Sequence, residues 1–152
     1  MSEGFQFLFL ALFLLPAIYF LITLQNTLKA ISPENRKMPP ANVWLMCIPV
    51  FNFYWQFIVV EKIAKSIAAE YNKLQIPLKE NKPGYSLGLA WNICYLLFLI
   101  PFIKTFVAFF LLIFWILYWV KINQYRKMII QDQNSILPDA ERNIFYGDKP
   151  LN

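Results

Sequence analysis

Three side-chain amides stand where an apolar chain has least use for them. Asn52 and Gln56 lie inside the stretch 42–60, and Asn92 lies inside the stretch 85–103. The four-residue spacing of Asn52 and Gln56 puts both on one face of a helix. An amide donates and accepts hydrogen bonds but does not exchange a proton near neutral pH. The chemistry open to this set is therefore recognition of polar groups, not acid–base work. In a bilayer the common use of such residues is hydrogen bonding between helices, worth about 0.6 to 2 kcal/mol each. The rarer use is a polar path or ligand cleft between two segments. Pro49 precedes Asn52 and removes a backbone donor at the same depth, so it belongs to the same candidate set.

Other chemistry is poorly provided for. Histidine is absent, which removes the commonest general base and metal ligand. The acids are Glu3, Glu34, Glu61, Glu70, Glu80, Asp132, Asp139, Glu141 and Asp148, and none falls in the middle of an apolar stretch. Proton-coupled transporters usually place ionisable groups there. Cys47 and Cys94 each sit in apolar surroundings, where thiols act as inert small hydrophobes. There is no phosphate-binding or dinucleotide glycine pattern and no paired cysteine ligands. The sequence leads us to expect no catalytic residue, no metal and no cofactor. The aromatic run Phe51, Phe53, Tyr54, Trp55 and Phe57 reads as packing and lipid contact. The tight polar loop 32–37 offers Glu34 and Arg36 as a partner contact, with a plain solvated loop as the simpler reading.

The elements that carry these residues follow from composition. The chain has 152 residues, 59% apolar and only 15% charged, against about 25% charged in average globular domains. Apolar stretches at 5–24, 42–60, 85–103 and 105–120 approach the roughly 20 residues that a spanning helix needs. The first lacks a basic leader and a small-residue cleavage motif, so it reads as an uncleaved anchor. After Asn52 the apolar positions Phe53, Phe57, Val60, Ala64, Ile67, Tyr71 and Leu74 recur at spacings of four and three. This periodicity predicts one helix from about Asn52 to Leu74 that leaves the membrane as an amphipathic extension lying on its surface. Glu61 and Lys65 are placed for an i,i+4 pair. Pro101 and Lys104 alone interrupt the last two stretches, which predicts a tight helical hairpin whose second helix continues to about Ile130. Residues 1–130 thus read as one helical membrane domain and 131–152 as a polar peripheral tail, with a short helix possible from Pro138.

Charge decides orientation, because Lys and Arg gather on the cytoplasmic side. If all four stretches cross with both termini inside, Lys29, Arg36, Lys37 and Lys104 fall outside. If the second stretch instead enters and leaves on one side, hinged between Pro49 and Asn52, only Lys104 is external and the N-terminus lies outside. We favour this second arrangement: an all-α integral membrane protein with three spanning helices plus a re-entrant, half-inserted broken helix. Four spanning helices are the alternative. Lys62, Lys65, Lys73, Lys121, Arg126 and Lys127 would meet anionic headgroups, and the net charge of +5 is better explained by lipid than by nucleic acid.

The run 43–55, which contains Pro49, Asn52 and Trp55, is followed by a basic helix and a hairpin ending in Tyr118-Trp119-Val120-Lys121-Ile122. Together with the Ser32-Pro33-Glu34-Asn35-Arg36 loop, it resembles a family of small multi-pass bacterial inner-membrane proteins of unknown function, over about residues 25–127. The resemblance implies an inner-membrane location and no known activity. We expect a non-enzymatic accessory or scaffold subunit, or a homo-oligomer, with its C-terminus cytoplasmic. Its partners would be the bilayer and other protein subunits. A pore or transport element lined by Asn52 and Gln56 is the alternative.

Overall fold

The computed structural model describes the backbone of residues 3–136 and the side chains of residues 14–135. The expected short helix from Pro138, and the tail beyond residue 136, lie outside the described residues. All regular structure among the described residues is helical. Helix α1 is Glu3–Ala30 and runs through Pro16. A 3-10 turn, Pro33–Asn35, and a 3-10 helix, Pro40–Cys47, lead to α2, Pro49–Lys73. Helices α3, Tyr85–Leu97, and α4, Lys104–Ile136, complete the chain.

The break expected between Pro49 and Asn52 is present, but Asn52, a good capping residue by type, is not what caps the new helix. Proline at 49 takes the first helical position, where its missing N–H costs nothing. It also forces Ile48 into extended geometry, φ −85° and ψ 110°. The Ile48 carbonyl then accepts the first helical bond from the Asn52 N–H at 2.8 Å. Asn52 therefore sits one turn inside the helix and caps nothing. At the other end, Leu74 is followed by Gln75 at φ 57°, and the Ile76 N–H returns to the Tyr71 carbonyl at 3.0 Å. This closure is usually built with glycine, which is why the stop was visible only through Pro77.

Two further expectations need correction. The stretch 85–103 is not one helix: α3 ends at Leu97, and residues 98–103 make turns around Pro101 before α4 begins. Helix α4 passes Ile130 and continues to Ile136, so the boundary placed at residue 130 falls inside it. Among the described residues one helix, Lys104–Ser135, is long and apolar enough to cross a membrane, and Tyr85–Leu97 is a shorter apolar helix.

The directions of the helices can be read from their contacts. The Trp119 indole N–H donates to Thr23 Oγ1 at 2.9 Å, and the Gln133 amide donates to the Ala30 carbonyl at 3.1 Å, so α1 and α4 advance together. Gly84 lies against Ile122 while Gly88 lies against Tyr118, so α3 runs against α4. Val60 meets Gly88, and the Phe53 and Tyr95 rings lie 5.4 Å apart, so α2 also runs against α3. The 3-10 helix descends beside α2 in the opposite sense. The Lys37 N–H donates to Ser66 Oγ at 2.8 Å, and the Trp55 indole N–H donates to the Asn42 carbonyl at 2.8 Å. From one end of the bundle the chain thus goes down through residues 37–48, reverses at Pro49 and climbs back through α2.

Phe20 of α1 is the hub of the core. Its ring sits edge-on to Trp91, Trp115 and Trp119 at centroid distances of 5.4, 5.7 and 5.9 Å. Such pairs add about 0.5–1.5 kcal/mol each beyond area burial. Around it Leu24, Leu28, Ile63, Ile67 and Ile122 are fully buried. The apolar face of the α2 extension is thus covered by the protein itself and does not lie on a membrane surface. Ile63 and Ile67 are core residues, and Tyr71 packs edge-on to Tyr125 of α4 at 5.6 Å.

Candidate functional site

Glu70 is the most heavily engaged polar residue of the fold, and sequence reasoning missed it. It lies on α2 three residues after Ile67 and seven after Ile63, which turns it to the buried face, and it is fully buried. Four bonds converge on its carboxylate. The Ser32 backbone N–H donates at 3.1 Å and the Ser32 hydroxyl at 2.8 Å; the Asn35 and Gln133 amides donate at 2.7 and 2.9 Å. The loop after α1, the end of α2 and the end of α4 are therefore fastened at one point.

The surrounding groups complete this closure. Gln133 also donates to the Ala30 carbonyl, and Arg36 reaches back to the Ile31 carbonyl at 2.8 Å and the Lys29 carbonyl at 2.9 Å. The last carbonyls of α1, which have no partners within the helix, are satisfied in this way. Arg36, a candidate partner contact with the solvated loop as the simpler reading, is thus an internal cap. Glu34 is bound by the Lys73 ammonium at 2.6 Å.

The same corner brings the Lys73 ammonium within 3.0 Å of the Ser32 hydroxyl. A serine–lysine pair of this kind could act as nucleophile and base if the lysine gave up its proton readily. Here the hydrogen bond that Lys73 donates to Glu34 raises the Lys73 pKa above its ordinary value, and Lys73 in turn lowers that of Glu34. Lys73 is thus held as a cation, and the Ser32 hydroxyl is already committed to Glu70. The arrangement is a clasp, not a catalytic dyad. Among the described residues no three His, Cys, Asp or Glu side chains come together as metal ligands, and Cys47 and Cys94 are free thiols.

The expected headgroup cations have mixed surroundings. Lys65 pairs with Glu61 at 2.6 Å, as its spacing predicted. Lys73 pairs with Glu34, and Lys121 pairs with Glu80 in the loop between α2 and α3. Lys62, Arg126 and Lys127 make no salt bridge among the described residues, and the Nε of Arg126 is buried without a partner. The bond from Lys121, and a weaker one from the Gly84 N–H, hold the Glu80 carboxyl below its ordinary value of 4.5. A carboxyl depressed in the folded state stabilises above its unfolded pKa, and that contribution is lost as pH falls through the folded pKa. Thermal unfolding in mild detergent should therefore place the wild type above Lys121→Met at neutral pH. The gap should hold down to about pH 5 and narrow as the pH drops below it. A gap that widened on acidification would contradict this pairing.

The amides singled out in the sequence form a second constellation. In the antiparallel register that sets Val60 against Gly88 and Phe53 against Tyr95, Gln56 stands opposite Asn92. Both are fully buried. Asn52 lies one turn of α2 away, opposite no predicted partner, and Pro49 marks the start of the same helix. The structure adds Tyr118 of α4, fully buried beside Gly88 and stacked on Trp91 at 6.0 Å. Only the pairing of two helices over a glycine could have pointed to it.

No family model matches the chain, and no curated protein or solved structure matches it. The resemblance over residues 25–127 therefore stays a reading of the residues alone.

Proposed function

We propose that the chain is a non-enzymatic membrane component, an accessory or scaffold subunit, seated in a bacterial inner membrane with its C-terminus in the cytoplasm. The observation that carries this reading is the outward surface of α4. Phe106, Phe109, Leu112, Ile116 and Val120 are exposed there, and beyond Val120 the exposed positions are Gln124, Lys127, Met128, Gln131 and Ser135, polar but for Met128. Phe106 to Val120 spans roughly 21 Å at the helical rise. The turn before it is exposed and apolar as well, with Phe102 98% accessible. Together they approach the hydrocarbon thickness of about 30 Å. A surface of this kind has no stable place in water.

The directions of the helices favour three crossings, by α1, α3 and α4, with residues 37–60 as a re-entrant pair. Lys104 then stands alone at the outer end. The Glu70 clasp ties the start of the re-entrant pair to the end of its return. That clasp is what a fixed scaffold requires, since irregular backbone at membrane depth survives only when protein covers it. Single cysteines placed at Ser2, Lys104, Asn35, Asn81 and Ser135, in a background lacking Cys47 and Cys94, would report sidedness to an impermeant thiol reagent. We expect labelling from outside at Ser2 and Lys104 only. Outside labelling at Asn35 with Ser2 protected would replace this arrangement with four spans.

A pore or transport element is the second reading, and the buried amides of α2 favour it. Solute flux into liposomes holding the purified protein alone would establish it over the scaffold; tight liposomes would leave the scaffold standing.

A further inference from the structure

Gln56, Asn92 and Tyr118 share one feature with no structural use. Neither amide atom of Gln56 or Asn92, nor the Tyr118 hydroxyl, has a hydrogen-bond partner among the described residues, although all three side chains are fully buried. Buried polar groups almost always find a partner, and unpaired ones in a native structure ask for a water or another bound group. Glu70, by contrast, is saturated by four donors.

The geometry sets these residues along one seam. Gln56 faces Asn92 across the α2–α3 seam. A Cβ on Gly88, one turn away, would stand 2.9 Å from Tyr118 Cε2 and 2.5 Å from Val60 Cγ1. One edge of the Tyr118 ring therefore lies against the seam from α4 at Gly88. Asn52 Oδ1, also buried and unpaired, continues the polar line one turn further along α2. The walls carry no charge: α2 has none from Pro49 to Val60, α3 has none at all, and α4 has none from Thr105 to Val120.

We propose that Gln56, Asn92 and Tyr118 form an internal binding site for a small uncharged molecule that both donates and accepts hydrogen bonds, with water as its smallest member. Two amides and a hydroxyl supply donors and acceptors together, which suits a neutral guest of the same kind. An ion would surrender its hydration here with no opposite charge to compensate. The site is independent of whether the chain is a scaffold or a pore, since it needs neither partner nor flux.

The probe is water itself. X-ray radiolysis turns water into hydroxyl radicals in place, so a buried ring is oxidised quickly only where a water lies beside it. The full-length protein in nanodiscs should show faster oxidation of Tyr118 than of Tyr71, an equally buried tyrosine whose hydroxyl is occupied by Met128 Sδ at 3.5 Å. In Gln56→Met/Asn92→Leu the excess at Tyr118 should disappear while helicity by circular dichroism is kept. Tyr118 as well protected as Tyr71 in the wild type would overturn the site, and that comparison needs no variant to fold. An excess at Tyr118 unchanged in a folded double variant would equally remove the two amides from it.

Discussion

Glu70→Leu should lower the unfolding free energy by on the order of 3 kcal/mol or more, because hydrogen bonds to a charged group are worth about 1.5–3 kcal/mol each and four end here. Leucine fills much of the volume but accepts nothing. The Ser32 N–H and the Asn35 and Gln133 amides would each lose the acceptor they now hold at 3.1, 2.7 and 2.9 Å. Glu70→Gln should cost less, about 1–3 kcal/mol, since one oxygen remains while the new NH2 meets donors instead of acceptors. Glu61→Gln is the control: its pair with Lys65 is exposed, and such pairs contribute about 0–1 kcal/mol. Unfolding in mild detergent, followed by tryptophan fluorescence, gives the three values. Equal, small effects for Glu70→Leu and Glu61→Gln would mean that the loop 31–37 is held without the clasp. Glu70→Leu should also make the loop sensitive to protease, a change that loss of general stability under native conditions would not confine to those residues.

What the sequence showed and hid follows from how far each interaction reaches along the chain. Proline acts on its immediate neighbours, so the interruption at Ile48-Pro49 was readable, as was the Glu61–Lys65 pair. Asn52 is not the cap, although asparagine is a good capping residue in general, because Pro49 claims the first helical position for itself. Glu70 was set aside once the acids had been compared only with the centres of apolar stretches. The spacing from Ile63 through Ile67 to Glu70 would have turned it inward. Its donors could not have been read: Ser32 and Asn35 come from a separate loop, and Gln133 lies 63 residues further on. That Asn92 stands opposite Gln56 was not readable either, since register between helices depends on which small residue lets them approach. That residue is Gly88, and nothing local distinguishes it from a glycine that merely loosens a helix.

Gly88 carries the second large effect. Within a helix, replacing glycine by alanine ordinarily gains about 1 kcal/mol. Here the new Cβ would stand 2.5 Å from Val60 Cγ1 and 2.9 Å from both Val60 Cγ2 and Tyr118 Cε2, closer than carbon atoms tolerate. Val60 has little freedom to give way, because a β-branched side chain in a helix is confined to essentially one rotamer. Tyr118 is enclosed by Phe20 and Trp91 at 6.1 and 6.0 Å. The helices themselves must separate. Overpacking of this kind costs about 1–3 kcal/mol, so Gly88→Ala should be destabilising despite its better propensity, and Gly88→Leu should fail to give a stable fold. The decisive variant is Gly88→Ala/Val60→Ala. Removing both Val60 methyl groups clears two of the three contacts and leaves the one to Tyr118 Cε2, so the double variant should cost less than the sum of the two single ones, with a favourable coupling of about 1–2 kcal/mol in a double-mutant cycle. Additive effects would mean that α2 and α3 do not meet at this pair, and the register that sets Gln56 against Asn92 would fall with it.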